Sequence, residues 1–78
     1  MRILFFAHLK SVTGCAEMDL DCEDVDADGL WRKLLQAHPG LAPFRSSVRL
    51  ARNSEYADRH ARFRNTDELA LIPPVSGG

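Results

Sequence analysis

Only one stretch of this 78-residue chain repeats its apolar residues at helical spacing. Ala27, Leu30, Trp31, Leu34 and Leu35 recur at intervals of three and four behind Asp26, whose carboxylate can cap the free N–H groups of a first turn. Asp28 adds negative charge at the positive end of that helix. Gly29 weakens the interior by up to about 1 kcal/mol relative to alanine, and Pro39-Gly40 ends it by denying His38 the helical conformation. The spacing therefore predicts a single helix of about twelve residues. One amphipathic helix covers one face of one sheet. The strands around it must form a mixed sheet wrapped on that helix, with the other sheet face left available.

The flanking segments read as those strands. Met1 to Ala7 is strand-length and rich in aromatic and branched residues, with Ile3, Phe5 and Ala7 on one face and Arg2, Leu4 and Phe6 on the other. After a turn signalled by Thr13-Gly14, Ala16 to Glu23 alternates, placing Ala16, Met18, Leu20 and Cys22 inward and Glu17, Asp19, Asp21 and Glu23 outward. This second strand is expected to hairpin onto the first. Beyond the helix, Leu41 to Ser47 is a connection, Val48 to Arg52 a strand, Asn53-Ser54 a tight turn, and the residues around Tyr56 a short extended piece. Asp58 to Asn65 is polar and arginine-rich, and Asn65-Thr66-Asp67 is another turn. Glu68 to Ile72 closes the sheet with Leu69 and Leu71 on one face and Ala70 and Ile72 on the other, and Pro73-Pro74 stops further ladder pairing. The expectation is an α+β domain over residues 1–72 and a flexible tail over 73–78.

Composition narrows what such a domain does. A chain this short has no room for two cores or a deep enclosed active site. With 45% hydrophobic residues and a formal net charge of −1, it is neither disordered nor a polybasic nucleic-acid binder. The charge is uneven: seven acids lie between Glu17 and Asp28, whereas six arginines lie between Arg45 and Arg64. The acidic run either steers a basic partner or forms a solvated face. Cys15 and Cys22 lack the number for a disulfide framework and the spacing for a zinc or redox motif, which places the protein in the reducing cytoplasm. The apolar start breaks at His8 and Lys10, too soon for a signal peptide or membrane span, so the N-terminus is expected to belong to the fold.

Few side chains mark a reaction centre. His8, His38 and His60 stand in unrelated segments with no carboxylate or serine pattern, so surface and helix-end roles are expected. Cys22 alternates into the core and Cys15 sits near a turn with nothing to activate its thiol. Trp31 belongs to the core or its edge. Arg59, Arg62 and Arg64 meet an acidic partner or phosphate, or are a solvated loop. The chain has no glycine-rich phosphate loop, so any ATP must be bound by a partner. The remaining feature is the end, Leu69-Ala-Leu-Ile-Pro-Pro-Val-Ser-Gly-Gly78. Prolines stiffen the exit from the last strand, and small residues lead to a carboxylate with no side chain beside it. Extended, the six residues from Pro73 reach roughly 20 Å, enough to enter a narrow channel. The same composition also describes a frayed terminus.

Several strings here resemble the small subunits of molybdopterin synthase, which are ubiquitin-like β-grasp proteins. They are Leu4-Phe5-Phe6-Ala7, the Gly14 turn, the Leu30…Leu34 helix, Ala51-Arg52-Asn53 before Glu55-Tyr56-Ala57, and Asp67-Glu-Leu-Ala-Leu-Ile-Pro-Pro-Val-Ser-Gly-Gly78. A bare Gly-Gly is common to ubiquitin-like families, but the string from Ile72 onward is specific. The resemblance implies that Gly78 is adenylated by an E1-like adenylyltransferase using ATP and converted to a thiocarboxylate with sulfur from a donor enzyme. Gly77 is then its slender neighbour, and no cofactor or metal is bound by the chain itself. Strand parity leaves Phe6 and Ile72 outward and the match to an apolar family position adds Tyr56, so these three are expected to meet the large subunit. The resemblance implies that the tail of Pro73, Pro74, Val75 and Ser76 inserts into it, in a heterotetramer where sulfur passes to a cyclic pyranopterin phosphate. A related sulfur carrier of thiamine or another thiolation pathway, a protein modifier, and a non-catalytic β-grasp module are the alternatives. The chain departs from the family pattern at Arg52, usually apolar, and at Asn65-Thr66, where a glycine is usual.

Overall fold

A computed structural model describes residues 1–58 and 60–74. Five strands form one mixed sheet: β1 (Arg2–Phe5), β2 (Glu17–Asp19), β3 (Arg49–Arg52), β4 (Glu55–Tyr56) and β5 (Glu68–Ile72). Their spatial order is β2-β1-β5-β3-β4. The first and last strands pair in parallel at its centre, with Ile3 opposite Leu69 and Phe5 opposite Leu71, while the other neighbours are antiparallel. This is the mixed sheet expected from the pattern of one helix among strands, in the β-grasp arrangement that the family resemblance implies.

The main helix, α2 (Ala27–Ala37), begins where the sequence places it. The Gly29 N–H donates to Asp26 Oδ1 at 2.8 Å, the capping bond anticipated at that aspartate. Its buried residues, Leu30, Trp31 and Leu34, pack on Ile3, Phe5, Leu69 and Leu71 from the sheet's inner face. Each fully buried large aliphatic or aromatic side chain contributes about 1.5–3 kcal/mol relative to exposure, so this layer dominates stability. Cys22 and Trp31 are in the core as expected.

Six local expectations are corrected. The link from β1 to β2 is not a bare turn but a one-turn helix, α1 (Leu9–Thr13), which buries Leu9 completely and ends on Gly14 in the left-handed region, φ 77°. Residues 41–47 are not an irregular connection throughout: a 3₁₀ helix (Pro39–Phe44) buries Leu41. The second strand is only three residues long, so Ala16 is exposed rather than inward, and Cys22 reaches the core from beyond the ladder. Phe63, within the stretch taken as polar, is fully buried. Its N–H donates to Val25 O at 2.7 Å and its carbonyl accepts from Val25 N–H at 3.1 Å. The first strand also stops at Phe5, two residues before its expected end, and β3 starts at Arg49 rather than Val48.

The uneven charge along the chain is partly cancelled in space. Arg62 pairs with Asp24 at 3.1 Å and Arg45 with Asp28 at 2.6 Å, tying the basic second part to the acidic first. All four side chains are well exposed, so solvent screening leaves these pairs little weight in stability.

Candidate docking face and tail

Strand parity decides which side chains the helix leaves uncovered. Ile3 and Phe5 point at α2, so Leu4 points away, and the register carries that face across the sheet as Glu17, Leu4, Ala70, Ala51 and Tyr56. The next row holds Ile72 beside Arg49, with Phe6 just past the end of β1 on the same side. Phe6 is 46% and Tyr56 58% exposed, the two large hydrophobic residues most open to solvent among those described. Ala70 and Ala51 are small residues at the centre of a sheet, where branched side chains are usual. Between Leu4, Phe6 and Tyr56 they leave a shallow groove of about 400 Å³. An apolar depression open on a sheet face is a candidate docking surface.

The rim is charged. Arg2 donates from Nε and one Nη to the same Glu17 oxygen at 3.0 and 2.7 Å, and its other Nη lies 3.5 Å from Glu68. At the opposite end of the face the Arg49 guanidinium lies 3.9 Å above the Tyr56 ring.

Of the residues singled out for partner binding, Phe6, Tyr56 and Ile72 lie together on this face, Ile72 half-buried. Pro73 is buried within the chain and Pro74 is exposed. Val75, Ser76, Gly77 and Gly78 lie outside the described residues, as does Arg59. Sequence reasoning put Leu4 and Ala70 on the correct face without noticing that Ala51 completes a groove with them. It missed Arg49, which the parity of β3 would have placed beside Ile72. His8 and His38 do cap helix ends, and His60 is exposed.

Both departures from the family pattern have a physical account. Arg52 faces inward opposite Leu69, but its head turns out over the Phe63 ring at 5.9 Å and donates to Arg62 O at 2.6 Å. Its methylene stem thus covers the core edge where an apolar residue would otherwise stand. In the Asn65-Thr66 turn Asn65 is a hub: its Oδ1 accepts from Cys22 N–H at 2.7 Å and its Nδ2 donates to Asp21 at 3.0 Å. The two turns beside β5 are joined by Asp67, which accepts from Arg64 N–H at 2.9 Å and from Asn53 Nδ2 at 3.0 Å. The Arg64 N–H bond is the main cause holding the Asp67 carboxyl below its ordinary range.

Among the described residues, no group of three or more His, Cys, Asp or Glu is close enough to share a metal ion, and no helix is long and apolar enough to cross a membrane.

Comparison with known proteins agrees with this architecture. The chain is 39% identical over 83 residues to the molybdopterin synthase sulfur carrier subunit of Drosophila yakuba, covering all of this chain and 90% of that one. The crystal structure of SAMP1 from Haloferax volcanii, a small archaeal modifier protein, superimposes with a TM-score of 0.80 at 33% identity, over 100% of this chain and 98% of that one. A chain in the complex of subunits 1 and 2 of the molybdopterin-converting factor from Helicobacter pylori shares the fold, with a TM-score of 0.71 at 24% identity over 99% and 96% of the two chains. The sequence pattern of the ThiS family matches residues 3–78, and the chain belongs to that family.

Proposed function

We propose that this chain is the sulfur carrier subunit of a molybdopterin synthase, with the Gly78 carboxylate as the group that bears sulfur. The observation that carries this is similarity to molybdopterin synthase sulfur carrier subunits along the whole chain, through a C-terminal end that reads Ile72-Pro-Pro-Val-Ser-Gly-Gly. A carboxylate is a poor electrophile, because its oxygen is a poor leaving group. Attack of that oxygen on the α-phosphorus of ATP, with loss of pyrophosphate, makes an acyl adenylate; a sulfur nucleophile then takes the carbonyl and AMP departs. ATP is held by an E1-like partner, and the sulfur comes from a separate donor enzyme. Gly78 puts no Cβ beside its carbonyl, and Gly77 keeps the preceding residue equally slender, which leaves room for both steps.

The outer sheet face supplies the binding half of the task. The large subunit seats on Phe6, Tyr56 and Ile72 and receives residues 73–78, so that sulfur is delivered to a pyranopterin phosphate held by that partner, and two deliveries complete a dithiolene. The chain itself holds neither cofactor nor metal. The site of action is the cytoplasm, consistent with the free thiols of Cys15 and Cys22.

The test is mass spectrometry of the purified chain after incubation with an E1-like enzyme, ATP and a sulfur donor. Replacement of one terminal oxygen by sulfur is expected; a mass that never changes would refute a carrier role. The likeness to an archaeal modifier protein supports a second reading, in which Gly78 is joined to lysines of other proteins. Co-purification separates the two, because a carrier brings down a synthase large subunit whereas a modifier leaves Gly-Gly remnants on lysines.

A further inference from the structure

The outer face carries one charged side chain that no carboxylate of the described residues neutralises. Among the described residues, ion pairs engage Arg2, Arg45 and Arg62, but none engages Arg49. Arg49 sits opposite Ile72, the last ladder residue before Pro73, on the face that bears the groove. Its guanidinium is stacked 3.9 Å over Tyr56, which is itself held opposite Ala51. Stacking on a ring fixes the guanidinium plane and leaves its edge N–H groups free for a planar, two-point acceptor. The other end of the face is acidic: Arg2 is engaged by Glu17 and Glu68, and Asp19 lies opposite it in the register. Along the strands the face therefore runs from acidic, where β5 begins, to cationic, where β5 ends.

An apolar patch supplies affinity but little orientation, whereas a charge at one end fixes register and rejects wrong partners. We propose that Arg49, held by Tyr56, is the polar anchor of the docking face and receives an aspartate or glutamate side chain of the large subunit beside the opening that admits the tail. The inference rests on the reading of this face as the docking surface. A phosphate of the substrate is not the acceptor proposed, because a six-residue tail can reach roughly 20 Å when extended and so carries its chemistry away from the end of β5.

Titration calorimetry of the full chain against its purified large subunit, at about 50 and 300 mM salt, tests this. Arg49→Ala is expected to weaken binding about tenfold and Arg49→Glu about a hundredfold, with the salt dependence of the wild type largely lost in Arg49→Ala. Arg49→Lys falls between wild type and alanine, because charge is kept but the fork and the stacking are not. Unchanged circular dichroism and melting temperature show that the fold is intact, and Phe6→Asp serves as the comparison that disrupts the groove. If Arg49→Glu binds within about twofold of wild type while Phe6→Asp does not bind, the face docks but Arg49 is not its anchor, and the proposal fails. If Phe6→Asp also binds normally, the docking reading fails and takes this one with it.

Discussion

Asn65 makes four hydrogen bonds with one side-chain amide, to the α-amino group of Met1, the Cys22 N–H, Asp21 and Glu23. Those partners lie more than forty residues away in sequence, so the side chain fastens the loop before β5 to the segment after β2. Asn65→Ala leaves the Cys22 N–H without its acceptor and is expected to cost about 1–3 kcal/mol, measurable by urea denaturation. Asn65→Gly, which removes the same acceptor, should cost as much. Asp67 acts at the same place through charge. Its folded carboxyl titrates below the unfolded value of about 3.9, so the stability it contributes is present above that pH and is lost as pH falls through the lower folded value. Denaturation curves for wild type and Asp67→Asn should therefore differ at pH 7 and converge in strong acid. A difference that persists unchanged to the acid limit would show that the carboxylate charge is not involved.

At the scale of elements, what was legible in the sequence was whatever repeats long enough to show a period or ends on a residue with one mechanical meaning. Helix α2 spans three turns with a capping aspartate at one end and Pro39 at the other, and β5 runs into Pro73; both were placed to within a residue. The Asn53-Ser54 turn was marked by residue type, and both positions do adopt positive φ, 51° and 72°. Helix α1 was not legible, since five residues fit no period and His8 makes no side-chain cap. Phe63 was hidden for another reason: a single apolar residue among arginines has no pattern, and only the bridge to Val25 carries it into the core. The docking face was readable by parity at its apolar positions, but not as a groove, because its depth comes from two alanines on different strands. Gly29 shows where propensity misleads. A Cβ there would lie 3.2 Å from the capping Asp26 oxygen and 3.3 Å from Val25 Cβ, so Gly29→Ala should bring none of the roughly 1 kcal/mol that propensity promises. A clear rise in melting temperature for that variant would contradict this account.

For the whole molecule, the fold separates stability from chemistry. The core lies between α2 and the inner sheet face, the groove lies on the outer face, and the chain leaves for its C-terminus from the end of a central strand. If Gly78 bears the sulfur as proposed, adding one residue after it shifts the activated carbonyl by about 3.5 Å relative to a partner's site. Sulfur transfer should stop, while melting temperature and large-subunit binding stay near wild type; transfer by an extended chain that is not trimmed would remove Gly78 from its role.

The parallel pairing of β1 with β5 also decides how the domain responds to force. Tension between the N-terminus and the end of β5 runs along two parallel neighbours, so their backbone bonds are sheared together rather than unzipped one at a time. A machine that pulls on the C-terminus, such as a processive protease, must break the middle of the sheet before it gains slack. In single-molecule pulling between residues 1 and 74, the domain should yield in one abrupt step at high force, so that it resists being unravelled from its C-terminal side.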